Sequence, residues 1–489
     1  MIQDQLFYIN PDSRLTLQEQ LQRLLVDAIL NGHFKPDIPL PSCRKLSKNL
    51  GISKNTVTLV YEYLATEGYL ISKERVGHFV NKAILEDRIQ TKKLVPIEEG
   101  EKPNWWSRYK KTPSHQKNII RPRDWHSYQY PFIYGQIDPT LFPIGEWQKC
   151  SKQAQKFQSV KEWTMDSYLE DDPTLIEEIR TGLLPRRGIH VSGDEILLTL
   201  GTQYALYLIA SLFINQTTTI GIEDPGYVDA RNIFKIHNPS LIGLPVDDAG
   251  LKISDQLDHC DFIYITPSHQ YPTTVTMPLN RRLHLLKKAS QSDIVLIEDD
   301  YESEVNHLGK ATPAIKSLDN SDRVIYVSSL SKSLAPGLRL GYMVGPKALI
   351  KEARSLRKLM LRHPPTNIQR TVALFMSRGN YYALMMRMRK AYKERWEVMN
   401  QAITEHLPTC DYTPTAGGSS LWITGPDHLN CKELELEATR QSIVLETGDW
   451  FYLSENPPKN CFRLGFSSIQ THMIEPGIKR IGDIIKKIT

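Results

Sequence analysis

Residues 328–341 read SSLSKSLAPGLRLG, and the fold turns on what Lys332 does there. A lysine on a solvated face usually sits among other charges. This one stands among serines, with Pro336, Gly337 and Gly341 beyond it and Arg339 as the next cation. The run follows RVIYV (323–327), a β-branched and aromatic stretch that reads as a buried strand. Ligands of open α/β sheets gather at the carboxyl ends of such strands. The question is whether other strands bring matching groups to the same edge.

From about residue 130, apolar runs alternate with helical stretches: EILLTLGTQYALYLIASLF (195–213), TTTIGIEDPGY (217–227), DFIYITPSHQYP (261–272) and DIVLIEDDYESEV (293–305). That alternation predicts an α/β domain on a mostly parallel sheet. Gly201-Thr202-Gln203 lies between a strand and a helix, where free backbone N–H groups can hold a phosphate. Tyr227 follows a turn and offers a flat ring. Asp299 and Tyr301, two apart on an extended segment, project to one side. With Ser329, Lys332 and Arg339 they suit pyridoxal 5'-phosphate (PLP). Lysine would form the Schiff base, and the carboxylate would keep the pyridinium protonated so that the ring acts as an electron sink. Tyr301 would bond the ring hydroxyl, Tyr227 would stack, and Arg339 with Ser329 would neutralise the phosphate. Each residue alone has an ordinary reading: a surface lysine, a solvated acidic loop, a plain helix start. Their common placement at strand ends favours the cofactor.

The first eighty residues follow another logic. Thr16-Leu17-Gln18-Glu19 is a capping box before an apolar helical stripe that stops at Asn31-Gly32. Ser42 can cap a second short helix ending at Gly51, and Ser53 a third, whose stripe is Val57, Val60, Tyr61 and Leu64. YLISKERVGHFV (69–80) then reads as a hairpin. This is the pattern of a winged helix-turn-helix. Ser53, Lys54, Asn55 and Thr56 would meet phosphates and base edges, while Arg44, Lys73 and Arg75 add charge for the DNA backbone. The plainer reading is a small helical dimerisation or cap domain with a basic edge.

The run PLPSCRKLSKNLGISKNTVTLVYEYLATEGYLISKERVGHFV (39–80) resembles the winged helix of GntR-type bacterial regulators. It departs at the wing tip, where Gly77-His78 replaces a glycine-threonine pair. The segment from about 130 onward resembles a fold-type I, class I/II aminotransferase, a large mostly parallel sheet with a smaller C-terminal subdomain. SLSKSLAPGLRLG matches that group's lysine motif and EDDYESE its aspartate-tyrosine motif, with Asp300 competing with Asp299 for the ring nitrogen. By the same resemblance, Arg463 in FRLGFS would bind a substrate carboxylate, and Tyr168 would reach the phosphate of a neighbouring subunit's cofactor. Head, linker and tail together resemble the MocR subfamily. Tyr271-Pro272-Thr273-Thr274 departs from the enzymes, which place asparagine before that proline and glycine after it, and this weighs against efficient transamination.

The organisation expected is a DNA-binding head at 1–82, a linker at 83–127 and an effector domain at 128–489. The linker stretch, with its prolines, charge runs and Trp105-Trp106, can also be read as an irregular arm of the following domain. Six scattered cysteines without a CxxC pair argue against a zinc site or disulfide framework and suit a reducing cytoplasm. No apolar run approaches a membrane span, MIQDQLFYIN has no secretory pattern, and the net charge of +5 by itself implies no nucleic acid. The expectation is a cytoplasmic, homodimeric regulator that binds a double-stranded operator and senses an amine, an amino acid or PLP by forming an external aldimine in place of Lys332. The alternative is a working aminotransferase whose head is autoregulatory or vestigial.

Overall fold

In the first eighty residues the caps fall where the sequence puts them. Helix α1 (Leu17–Leu30) opens on Thr16, whose N–H donates to Glu19 Oε2 at 2.8 Å while its hydroxyl accepts from Glu19 N–H at 3.3 Å. Helix α2 (Cys43–Leu50) ends at Gly51, whose φ of 66° needs a residue free of a β-carbon penalty. Helix α3 (Lys54–Thr66) starts at Ser53, whose hydroxyl accepts from Thr56 N–H at 3.0 Å. Strands β1 (Leu70–Lys73) and β2 (Gly77–Val80) form an antiparallel hairpin with Arg75 in the left-handed region at its tip. Leu21, Leu25, Val57, Val60, Leu64, Leu70 and Val80 fill one core between helices and wing. His78 is structural: its ring meets Tyr61 edge-on at 4.9 Å and its Nδ1 shares a hydrogen bond with Ser72 at 2.8 Å.

The structure is a computed structural model that describes residues 9–489 apart from 12, 14, 87–101, 157–163, 167–169, 307–311 and 414–416. The chain divides into Met1–Arg108 and Tyr109–Thr489. Residues 109–127, expected as linker, belong with the second unit. Gln116 donates to Asn232 O at 3.0 Å, Asn232 donates back to Lys117 O at 2.9 Å, and Arg121 pairs with Glu446 at 2.7 Å. The prolines and charges read as a tether because this arm has little regular structure and finds its partners far along the chain. Trp105 and Trp106 are exposed in a one-turn helix before it.

The second unit is built on strands β3 (Ile196–Thr199), β4 (Thr219–Asp224), β5 (Ser240–Asp247), β6 (Gly250–Leu251), β7 (Phe262–Ile265), β8 (Val295–Asp299), β9 (Val324–Ser329) and β10 (Gly341–Val344). Their order is β3-β10-β9-β8-β7-β4-β5-β6. The central five, β9 through β5, run parallel, and antiparallel pairings close both edges, β10 with β9 and β3 at one and β6 with β5 at the other. Helices α4 (Thr202–Phe213) and α5 (Val228–Lys235) begin directly after the ends of β3 and β4. A smaller antiparallel sheet, β11 (Asp411–Tyr412), β12 (Ser420–Thr424), β14 (Cys461–Gly465) and β13 (Glu446–Thr447) in spatial order, lies with the long helix α6 (Asn380–His406) and α7 (Thr471–Ile488). Buried Asp138 pairs with Arg395 of α6, whose other nitrogen donates to Ser467 O at 2.5 Å. This fixes the segment Tyr134–Asp138 against the C-terminal part. No helix among the described residues is long and apolar enough to cross a membrane.

Candidate functional site

Lys332 lies in the loop between β9 and β10, beside a cavity of about 280 Å³. Thr202, Gln203, Tyr227, Asp299, Tyr301, Ser329 and Arg339, all expected from the sequence, line it. Tyr168 lies outside the described residues.

At one end two backbones meet. Gly201, at φ 90°, precedes α4, and a β-carbon on Gly341 would stand 2.8 Å from Gly201 Cα and 2.7 Å from Ser328 O. Only glycines permit that approach. Arg339, itself left-handed at φ 49°, donates from Nη2 to Leu200 O at 2.8 Å. Thr202 Oγ1 is buried with no partner among the described residues. Ser329 Oγ accepts from Ser331 N–H at 3.2 Å, keeping its own hydrogen to donate. Unclaimed donors at a helix N-terminus beside a guanidinium are what a phosphate requires. Gln203 links α4 to α5, donating to Asp229 at 2.6 Å and to Tyr227 OH at 3.3 Å.

Neighbouring residues of β8 face opposite sides, and this separates the two aspartates. Asp300 turns away: its carboxylate accepts from Arg187 Nε at 2.6 Å and Tyr326 OH at 2.7 Å. Asp299 faces the cavity, accepting from Tyr264 OH at 2.8 Å through Oδ2, while its buried Oδ1 has no partner among the described residues. Burial pushes the Asp299 carboxyl up to about 7. An N–H⁺ donor arriving at Oδ1 would restore the ionised form. Arg187, Tyr264 and Tyr326 gave no signal in the sequence beyond apolar strand and loop residues, because their roles depend on which face of the sheet they reach.

The Lys332 ammonium stands 4.3 Å from the Tyr134 ring centre, and a β-carbon on Gly135 would collide with its Nζ. Burial lowers it to about 8, with Glu302 pulling upward and Arg121 and Arg463 pushing down. A lysine so shifted holds more of the free amine that attacks a carbonyl. Tyr271 centres a ring cluster, meeting Tyr227 at 4.9 Å, Tyr134 at 5.5 Å, Phe451 at 5.6 Å and Tyr301 at 5.8 Å. The orphan oxygen, the glycine cradle and the lysine therefore fit PLP.

Arg463, on β14, is fully buried and already engaged. Its Nε and Nη2 donate to Glu446 Oε2 at 2.8 and 2.5 Å, and Nη2 also donates to Tyr271 OH at 2.8 Å. Glu446 was not foreseen; it sits directly opposite Arg463 in the β13–β14 register. Despite burial, the Arg463 and Arg121 guanidiniums hold its carboxyl below the ordinary range. Arg463 Nη1 is buried without a partner among the described residues.

In the head, Arg44, Ser53, Lys54, Asn55, Lys73 and Arg75 are exposed and Thr56 half-buried. Ser53 and Thr56 cap each other, their hydroxyls 2.9 Å apart, and Lys73 Nζ rests 4.6 Å over the Phe79 ring.

Comparison with known proteins divides the chain the same way. Bacterial regulatory proteins of the gntR family match residues 17–80, and aminotransferases of class I and II match residues 151–481. Fold and site thus define a helix-turn-helix unit joined to an aminotransferase-like domain. The chain is 38% identical to the HTH-type transcriptional regulator TauR of Rhodobacter capsulatus over 98% of its own length and 99% of that protein's. It is 29% identical to the probable rhizopine catabolism regulatory protein MocR of Rhizobium meliloti over 82% and 79% of the two chains. A kynurenine aminotransferase of Pyrococcus horikoshii superposes with a TM-score of 0.69 at 28% identity, covering 78% of this chain and 98% of that one. The chain belongs to the MocR-type family of GntR transcription regulators.

Proposed function

We propose that this chain is a PLP-dependent transcription regulator in which Lys332 holds the cofactor and an effector amine competes with that lysine. One juxtaposition carries the reading: Lys332 Nζ shares a cavity with the open oxygen of Asp299 and the Gly201–Arg339 cradle. When bound, the cofactor supplies an aldehyde carbon at which one primary amine can replace another. The chain's residues do the rest. Thr202, Ser329 and Arg339 would hold the phosphate, the Asp299 carboxylate would accept a hydrogen bond from the protonated ring nitrogen, Tyr227 would stack, Tyr301 would bond the ring hydroxyl, and Arg463 Nη1 would meet an effector acid group. Displacing Lys332 frees a cation beside Tyr134 and biases an equilibrium between arrangements of the DNA heads. The head reads an operator in double-stranded DNA through the start of α3, with Arg44, Lys73 and Arg75 on the phosphates. The working unit is proposed as a cytoplasmic homodimer, with Tyr168 reaching the partner's cofactor; the free cysteines suit a reducing compartment.

Borohydride reduction of purified protein should attach the cofactor to the Lys332 peptide, and Lys332→Ala should abolish both the attachment and the amine response of operator binding. Labelling elsewhere, or none, ends the reading. The complete cofactor set also favours a second reading, a working aminotransferase. Turnover of amino acid with an oxo acid at roughly 1–10³ per second would establish it.

A further inference from the structure

We infer that Arg121, carried in by the arm that precedes the sheet, is a second effector-recognition residue of this pocket. In this account Glu446 is the internal anion that an acidic effector group displaces from it. The inference rests on the cofactor reading above and adds to it where the effector's acid group goes and what moves when it arrives.

The geometry is a chain of three charges. Glu446 Oε2 is taken by Arg463, and Glu446 Oε1 accepts from Arg121 Nε at 2.7 Å. Two guanidiniums share one carboxylate, so one positive charge remains uncompensated among the three. Arg463 Nη1 and the two terminal nitrogens of Arg121 have no protein acceptor among the described residues. Arg121 lines the same cavity as Lys332. An amine at Lys332 and an acid group at these nitrogens would thus occupy one pocket, and a desolvated acid group needs such donors.

The two arginines differ in how readily they can yield. Arg463 is on a sheet strand, tied to Glu446 and Tyr271, with its guanidinium carbon 4.1, 4.5 and 4.8 Å from the ring centres of Tyr134, Tyr271 and Phe451. Arg121 is 35% exposed, sits on irregular chain, and is held through Nε alone. An incoming acid group therefore keeps Arg463 in place and draws Arg121 from Glu446. The arm is otherwise pinned by the Gln116–Asn232 and Lys117–Asn232 bonds and by Ile119 against the Tyr134–Tyr271–Phe451 cluster. It is also the covalent route from the pocket to the N-terminal unit. An amine without an acid group would leave the Arg121–Glu446 pair closed; an amine bearing one would open it and change how the arm is held.

The test uses full-length, cofactor-loaded protein titrated with L-alanine, β-alanine and 5-aminovalerate, and with n-propylamine as the probe that lacks an acid group, following the cofactor's visible absorbance. Wild type should bind at least one amino acid about tenfold or more tighter than propylamine, the size expected of a charge-assisted bond. Arg121→Gln should lose that preference while propylamine affinity stays within about twofold. Arg121→Lys, which keeps the charge but not the fork, should fall between and serves if the glutamine variant does not fold. Tryptic cleavage after Lys110, Lys111 and Lys117 should change on adding the preferred amino acid to wild type and not to Arg121→Gln. An unchanged acid preference in these variants overturns the inference and leaves the cofactor reading standing. Absence of any absorbance change in wild type with every amine, together with no borohydride labelling of Lys332, overturns both.

Discussion

On α3, Lys54 and Asn55 stand in solvent, and cutting either back to its β-carbon would uncover no buried charge. In the second unit, cutting back Arg187 would leave Asp300, which has no exposed surface, without the guanidinium it pairs with. In the head, proposed function and stability fall on different residues: the core includes Leu21, Leu25, Val60 and Leu64, and the side chains proposed to face DNA lie outside it. The cavity merges the two. Asp299 leans on Tyr264, Arg463 on Glu446 and Tyr271, and Lys332 on Tyr134. The lesson is that a substitution in the head reads out function cleanly, whereas one in the pocket must be separated from its effect on folding.

The largest effect expected from this difference is structural. Arg187→Ala removes one partner of a buried ion pair and should cost about 3–5 kcal/mol, seen as a drop in denaturation midpoint of the second unit's transition. Arg44→Ala should stay within about 0.5 kcal/mol of wild type. Equal midpoints for the two variants would break the comparison.

Asp299→Asn sharpens it, because function and stability should move in opposite directions. The cofactor-free native state binds a proton at Asp299 between pH 3.8 and about 7 that the unfolded chain has released. Stability from this group therefore falls as pH rises through that window. Asn carries no charge to desolvate, so the cofactor-free variant should be more stable than wild type at pH 8. Its PLP affinity should nevertheless drop by about tenfold or more, since a neutral amide loses the charge-assisted bond to the pyridinium. Thermal melts with and without PLP decide this, and a variant both less stable and equally avid would contradict the role given to Asp299.

A kinetic effect of intermediate size follows from Lys332. Its ammonium is lowered to about 8, chiefly by burial, so the free amine proposed to accept PLP grows about tenfold per pH unit below that value and levels off above it. Stopped-flow uptake of PLP between pH 6 and 9.5 should show that bend; a rise that continues without one, as the ordinary lysine value of 10.5 would give, would mean that Lys332 is not desolvated.

How much of this was legible in the sequence depended on range. Capping boxes, glycine stops and strand-end motifs are local, so the head's helices and the strand endings at Gly201, Asp299 and Ser329 could be read directly. Lys332 and Arg339 could be placed because they stand seven residues apart in one loop. The choice between Asp299 and Asp300 could not be made, since it depends on Arg187 and Tyr326, 113 residues before and 26 after Asp300. Glu446 was invisible for the same reason: nothing near it in sequence announces that β13 sets it opposite Arg463. Arg121 was read as tether because its partner lies 325 positions away.

The smallest expected effects belong to the head, and they test whether its surface is as independent as its exposure implies. Arg44→Ala should weaken operator and non-operator DNA alike and reduce the salt slope of binding by about one, as loss of a single phosphate contact does. Asn55→Ala should instead relax preference at one base pair, by about 1–3 kcal/mol, while leaving that slope unchanged. Neither should alter the cofactor spectrum or the melting temperature, because neither side chain is part of the core formed by Val57, Val60, Tyr61 and Leu64. Binding isotherms at several salt concentrations on operator and scrambled duplexes separate the two. A variant that shifted slope and sequence preference together would show that α2 and α3 do not divide backbone positioning from base reading in this way.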